Sequence, residues 1–229
     1  TKSGVKLHLR LVFMEKGRSY PDQAVLTNAI EHDRGQLDVF IDDKECMYVF
    51  DRGYLDYKRF DQMTYDGYFF VSRLRKNAVV QVMYPFSVRE ESSVLSDEMV
   101  VIGTSQNRCE NVFRLLKLLD TKGNELQLLT NRFDMDADEI AEIYKSRWAI
   151  ELFFKWMKQH LNIKKFYGHS EQAVHNQVYV AIIVYCLNVL AQLNTNSDRS
   201  YLQISRYLKA SLWKSAHIWV RRIEGKSVP

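Results

Sequence analysis

Glu45-Cys-Met-Tyr-Val-Phe-Asp-Arg-Gly-Tyr-Leu55 opens on a compact apolar run, ends it on an acid at Asp51, and turns at Arg52-Gly53-Tyr54. A short run of this polarity reads as a buried central strand. Residues 55–63 then place Tyr57, Phe60 and Met63 at threefold spacing, which predicts a short helix closed by Tyr65-Asp66-Gly67. Strand, turn and helix in succession are the signature of an α/β fold.

Upstream, Val5, Leu7, Leu9, Leu11 and Phe13 alternate with Lys6, His8 and Arg10, the period-two pattern of a half-buried strand. Tyr20-Pro-Asp-Gln-Ala-Val-Leu26 suggests a turn into a short strand or helix. Downstream, Tyr68-Phe-Phe-Val-Ser-Arg-Leu74 reads as another strand, and from 79 to 134 the chain becomes β-rich, with pieces at 79–83, 99–104, 113–119 and 125–130. After Asp136, a candidate helix cap, the sequence is helical through Leu161, and a second long helix runs from about 170 to 193. The expected organisation is therefore 1–78 as the first part of an α/β core, 79–134 as a β-rich insertion, 135–194 as helical completion of the core, and 195–229 as a basic, partly helical tail.

With 229 residues, 46% hydrophobic and 26% charged, the composition is globular and excludes a disordered chain. Cys46, Cys109 and Cys186 lie far apart in no metal-ligand or redox spacing, so no disulfide framework is implied and reduced thiols in a cytosolic protein are expected. The chain opens on strand-like sequence with no apolar signal core. Residues 178–187, its most hydrophobic stretch, fall short of the roughly 20 residues of a membrane span and read as a buried helix. A net charge of +4 permits a nucleic-acid partner without demanding one.

The segment Tyr144-Lys-Ser-Arg-Trp-Ala-Ile-Glu-Leu-Phe-Phe-Lys-Trp-Met-Lys158 puts Tyr144, Arg147, Glu151 and Lys158 at offsets of 3, 7 and 14. On one continuous helix they fall within an arc of roughly 60°. The remaining positions are mostly apolar, which predicts a buried helix with Glu151 in a partly dry setting. A carboxylate there needs a cation: Arg147, Lys158 or a metal ion serves, and an intrahelical ion-pair stripe accounts for the same spacing.

These residues resemble the DDE transposases of bacterial insertion sequences, in the branch whose signature is Tyr, two residues, Arg, three residues, Glu, six residues, Lys. The flanking Leu129-Thr-Asn131 and Gln159-His-Leu-Asn-Ile-Lys-Lys-Phe-Tyr-Gly-His-Ser170 are similar too, and Phe50-Asp51-Arg52-Gly53-Tyr54 looks like the family's second-Asp motif. The resemblance covers roughly residues 5–193. It implies a ribonuclease-H-like α/β fold, a mixed sheet flanked by helices, with a β insertion filling the 100 positions between Asp51 and Glu151. It implies cleavage of element ends and joining of the freed 3′-OH to target DNA. Alternatives are a ribonuclease-H-like nuclease without strand transfer, or a degenerate relic that binds DNA without catalysis.

For this chemistry Asp51 and Glu151 are the expected catalytic, metal-binding acids, because two hard divalent ions, Mg²⁺ or Mn²⁺, take carboxylate oxygens. Arg147 and Lys158 would neutralise and position phosphates, and Tyr144 would donate to phosphate or stack on a displaced base. Gly4-Val-Lys-Leu-His8 matches the family's second strand, so the first Asp is expected upstream of residue 1. Asp33, Asp38, Asp42 and Asp43 are alternatives within the chain, and without a first Asp this chain alone is expected to be inactive. A turn or cap role bonded to the Gly53 amide is the alternative for Asp51. Arg52 either lies near DNA or bridges to an acid, and Lys164 and Lys165 either bind phosphate or form a solvated turn. His160, His169 and His175 show no zinc spacing. Arg221, Arg222, Lys209 and Lys214 in the tail touch DNA backbone or serve solubility. Double-stranded DNA, terminal repeats and target, is the implied partner of a cytoplasmic, nucleoid-associated bacterial protein, with a homodimer on DNA implied by the resemblance alone.

Overall fold

The computed structural model describes residues 4–14, 19–28, 35, 37–160, 166–195, 197–211 and 213–225. The chain divides into two compact units, 1–28 with 149–229, and 29–148. That division differs from the sequence-expected boundaries at 78, 134 and 194.

In the first unit, β1 (Val5–Phe13) and β2 (Ser19–Asn28) form an antiparallel pair. The segment at Tyr20 is thus a strand. Buried His8 on β1 bonds Thr27 Oγ1 on β2 at 2.8 Å. Leu7, Leu9 and Leu11 pack with α4 (Trp148–His160) and α5 (Glu171–Asn194) around Phe153, Met157, Ile182 and Tyr185. Ser170 caps α5 by accepting from the Ala173 amide. By length and composition α5 could cross a membrane, although a buried core helix passes the same test. One side of it lies in this core, whereas Val180, Ile183, Leu187 and Leu190 are exposed, so it is less buried than its sequence implies. Two further helices, α6 (Tyr201–Ser211) and α7 (Ala216–Glu224), pack around Ile204 and Ile223 against Ala191 of α5.

The second unit is built on a mixed six-stranded sheet. In order across it run β3 (Met47–Phe50), β4 (Phe69–Arg73), β8 (Glu125–Thr130), β7 (Phe113–Leu119), β6 (Val94–Ile102) and β5 (Val80–Phe86). Only β3 and β4 are parallel; every other adjacent pair is antiparallel. The strands of 79–134 therefore continue the sheet of β3 and β4 through the β4–β8 pair. Among the described residues β3 stands at the end of the sheet, not in its centre as its apolar run suggests. Its burial comes from residues above and below it, because a run of four alternating side chains needs cover on its faces and not a neighbour on each edge.

Alternation sorts each strand between two cores. Tyr48, Phe50, Phe70, Leu115 and Leu129 point to one face, covered by α2 (Tyr57–Asp66) through Phe60 and Met63. Asp56 caps α2, and Gly67 ends it at φ 81°, a left-handed conformation that glycine adopts without steric cost. Val49, Val71, Leu116 and Leu128 point to the other face, covered by α3 (Ala137–Lys145) through Ile140, Ala141 and Tyr144. A short helix, α1 (Leu37–Phe40), adds Leu37 to the first core. This mixed sheet with helices on both faces is the α/β arrangement expected of a ribonuclease-H-like domain.

Candidate active site

Asp51 follows Phe50 in extended backbone, φ −87° and ψ 163°. Phe50 belongs to the face under α2, so strand alternation turns the next residue toward the α3 face. One carboxylate oxygen accepts the Arg52 amide at 2.7 Å, the cap of a 3₁₀ turn over Arg52–Tyr54. The amide is that of Arg52, where the turn reading named Gly53. The other oxygen lies 3.7 Å from Arg147 Nη1, an ion pair rather than a close hydrogen bond.

Tyr144, in the last turn of α3, is 6% exposed among Ile140, Val71 and Leu128. The Arg147 guanidinium stands 5.9 Å from its ring centroid. Burial raises the phenol above its ordinary pKa and the Asp51 charge raises it further, while Arg147 and Arg73 act in the opposite direction. Asp51, more than 90 positions upstream in the chain, therefore shares one locality with Tyr144 and Arg147 at the C-terminal end of β3.

Arg73 is a residue of this locality that sequence reading missed. Ser72 is the register partner of Phe50 on the parallel neighbour, so Arg73 comes level with Asp51. It also pairs with Leu128, whose side chain is on the α3 face. Among the described residues the Arg73 side chain forms no hydrogen bond or salt bridge, and its half-buried guanidinium acts on Tyr144 and Asp120 through its charge. A basic residue closing a strand beside one that closes on an acid was the available signal.

The four signature residues do not ride on one continuous helix. Chain helicity tightens at Ser146, where the hydroxyl bonds the Ile143 carbonyl at 2.5 Å and the Arg147 amide reaches Tyr144 O at 3.1 Å. These three-residue bonds end α3 and leave Arg147 between helices. Glu151 and Lys158 are carried by α4 in the other unit, and both are exposed. The expectation of a helix buried nearly all round is corrected as well: only Phe153 and Met157 are buried on α4, while Trp148 is 57% and Leu152 52% exposed. An apolar composition sets how much surface a helix can bury, and its neighbours decide how much it does.

Arg52 is exposed and forms no ion pair among the described residues, so the bridging alternative is not observed. Lys164 and Lys165 lie outside the described residues, as does Asp33. Asp38 pairs with Arg59, and Asp43 accepts from the Glu45 amide and the Cys46 thiol. Among the described residues no three His, Cys, Asp or Glu side chains gather as a metal-binding group. The Asp51 carboxylate, 45% exposed and held by one short hydrogen bond, nonetheless has the oxygen chemistry and the access that a hard divalent ion requires.

Residues 2–187 match the family model described as a transposase DDE domain. The chain is 31% identical over 226 residues to a protein of Geobacillus stearothermophilus named as a transposase for insertion sequence element IS5377, covering 93% of this chain and 58% of that protein. It is 30% identical over 197 residues to a transposase of Sinorhizobium fredii named y4zB, covering 83% of this chain and 54% of that protein. A Synechocystis protein named as a transposase for insertion sequence element IS4SA is 27% identical over 188 residues, covering 76% of this chain and 50% of that protein. The chain thus spans about half the length of these relatives. With four-fifths of its residues matched to the domain and its second unit folded as described, this chain belongs to the transposase DDE domain family.

Proposed function

We propose that the chain is the core of a transposase that cuts DNA at insertion-sequence ends and joins the freed 3′ end to target DNA. The observation that carries this reading is the meeting of Asp51, Tyr144 and Arg147 at the end of β3. An acid for a divalent ion and a guanidinium for phosphate are the two charges that phosphodiester cleavage needs side by side.

Asp51 and Glu151 are the proposed metal-binding acids, toward Mg²⁺ or Mn²⁺. Two such ions, when bound, supply Lewis acidity to the attacking and leaving oxygens. Arg147 holds a phosphate oxygen through its planar fork, and Arg73 offers a second guanidinium level with Asp51. Tyr144 is protonated at neutral pH, as an ordinary phenol is, and burial only strengthens its hold on the proton, so it donates to phosphate rather than repelling it. Lys158 contributes a point charge, and Arg52, Lys164 and Lys165 extend contact to the backbone. Double-stranded DNA is the proposed substrate, bound by a homodimer in a bacterial, nucleoid-associated setting.

The test uses the native protein with a terminal-repeat duplex, a target plasmid and Mg²⁺. Glu151→Gln is expected to keep DNA binding and abolish cleavage, since it removes charge with little change of shape. Arg73→Ala and Lys158→Ala are each expected to flatten the salt dependence of binding by roughly one phosphate contact. Retained cleavage by Glu151→Gln refutes the metal-binding assignment, and cleavage without a joined product replaces the transposase reading with a nuclease.

A further inference from the structure

Residues 201–224, the α6–α7 pair, lie beyond the stretch matched to the DDE domain. They hold Arg206, Lys209, Lys214, Arg221 and Arg222 against the single acid Glu224, a net +4 that equals the charge of the whole chain. The rest of the protein is therefore balanced, and its basic excess resides in two helices and the link between them.

Packing decides where those charges point. Ile204 and Ile223 are buried, with Tyr207, Leu208 and Trp219 packed against them, so each helix spends its apolar face on its partner and on Ala191. Arg206 and Lys209, three positions apart on α6, are left on its outer side, as is Arg221 on α7. Arg222 is turned inward instead and donates to Ser211 Oγ at 3.1 Å, linking the two helices. Arg199 braces the same pair through the Ile223 carbonyl at 2.8 Å and the Tyr207 hydroxyl at 3.1 Å. Among the described residues, Arg206, Lys209, Lys214 and Arg221 make no salt bridge. Between the helices Trp213 is 96% exposed, directly beside Lys214. Four exposed cations that pair with no acid among the described residues, one of them next in the chain to an uncovered indole, are unlike an ordinary solvated face, where opposite charges pair and intersperse.

We propose that this pair is a second docking surface for nucleic acid, gripping the phosphodiester backbone of duplex DNA without reading its sequence. Lys and Arg on braced helices neutralise phosphates, and the indole packs against the sugar edge or groove floor beside them. The identity of the polyanion rests on the transposase reading; the site itself does not use the candidate active-site residues.

The experiment measures binding of the chain to a short duplex of unrelated sequence across about 50 to 200 mM salt. Neutralising the four cations together (Arg206→Gln, Lys209→Gln, Lys214→Gln, Arg221→Gln) is expected to flatten the log–log salt slope by roughly 3.6, four contacts at about 0.9 each. A variant with the same loss of charge in the other unit (Lys58→Gln, Arg75→Gln, Lys76→Gln, Lys122→Gln) is expected to keep most of the slope. Trp213 fluorescence should change on binding and the change should vanish in Trp213→Phe. If the fourfold variant fails to fold, Arg206→Gln and Lys214→Gln singly should each flatten the slope by roughly 0.9. An unchanged slope, or equal losses in both fourfold variants, overturns the proposal. So does tight binding to phosphatidylglycerol vesicles with none to the duplex, which assigns the surface to a membrane. Any of these leaves the Glu151→Gln cleavage test standing, so the two readings fail separately.

Discussion

Replacing Arg114 by Met should destabilise the sheet-bearing unit far more than removing Arg114 and Asp97 together. Arg114 on β7 is 9% exposed and Asp97 on β6 is 4% exposed. They meet through two parallel bonds, Nε to Oδ1 at 2.8 Å and Nη2 to Oδ2 at 2.5 Å. The remaining nitrogen donates to the carbonyls of Met135 at 2.6 Å and Arg132 at 3.2 Å, the stretch that leads into α3 and so toward Tyr144 and Arg147. Arg114→Met keeps the apolar stem but leaves a buried carboxylate without its cation, which costs about 3–5 kcal/mol. Unfolding a unit of about 120 residues carries an entropy near 0.25 kcal/mol/K, so the expected fall in Tm is about 12–20 °C. In Asp97→Leu/Arg114→Met no charge is stranded, and all but about 1–2 kcal/mol, from the two carbonyls left without a donor, should return. Urea unfolding read by hydrogen exchange in β6, β7 and β8 peptides reports this unit directly. A loss under about 1 kcal/mol in the single variant, or an equal loss in single and double, would show that the pair is not a desolvated clamp.

Two further outcomes follow from titrating groups. Burial and the neighbouring Asp61 carboxylate push the Cys109 thiol up to about 12, so at pH 8 only about one molecule in 10⁴ carries the thiolate, and iodoacetamide should modify exposed Cys46 long before Cys109; comparable labelling rates by mass spectrometry would contradict the packing around Cys109. Tyr144 and Tyr185 are both raised above the ordinary tyrosine value, chiefly by burial, with Tyr201 adding to the effect on Tyr185. Both keep their protons when folded while the unfolded chain loses them near pH 10, so their contribution is full below that pH and disappears as pH climbs through the folded values. The urea midpoint should therefore fall above about pH 10, with two tyrosines ionising late by ultraviolet absorbance; a midpoint independent of pH there would refute the burial assigned to both.

Short-range chemistry made much of this protein readable from its residues. Asp136 and Ser170 cap helices because their side chains reach amides two or three positions on. Gly67 ends α2 because it alone there takes a left-handed turn. The succession of strands and helices along the chain, the acid at the close of β3 and the Tyr144-to-Lys158 spacing are likewise local patterns, and the residue types at that spacing, with the flanking words and the Asp51 motif, carried the family resemblance. What only the tertiary structure decided depends on residues distant in sequence. Pairing of β4 with β8 merges the β-rich middle into the core sheet, and parallel register brings Arg73 level with Asp51. Exposure of Glu151, Trp148 and Leu152 likewise follows from which neighbours α4 has, not from its own composition. Hydrogen bonds along one turn involve residues only a few positions apart, whereas sheet register and burial are settled by which surfaces compete for the same partner, a choice that belongs to the folded chain.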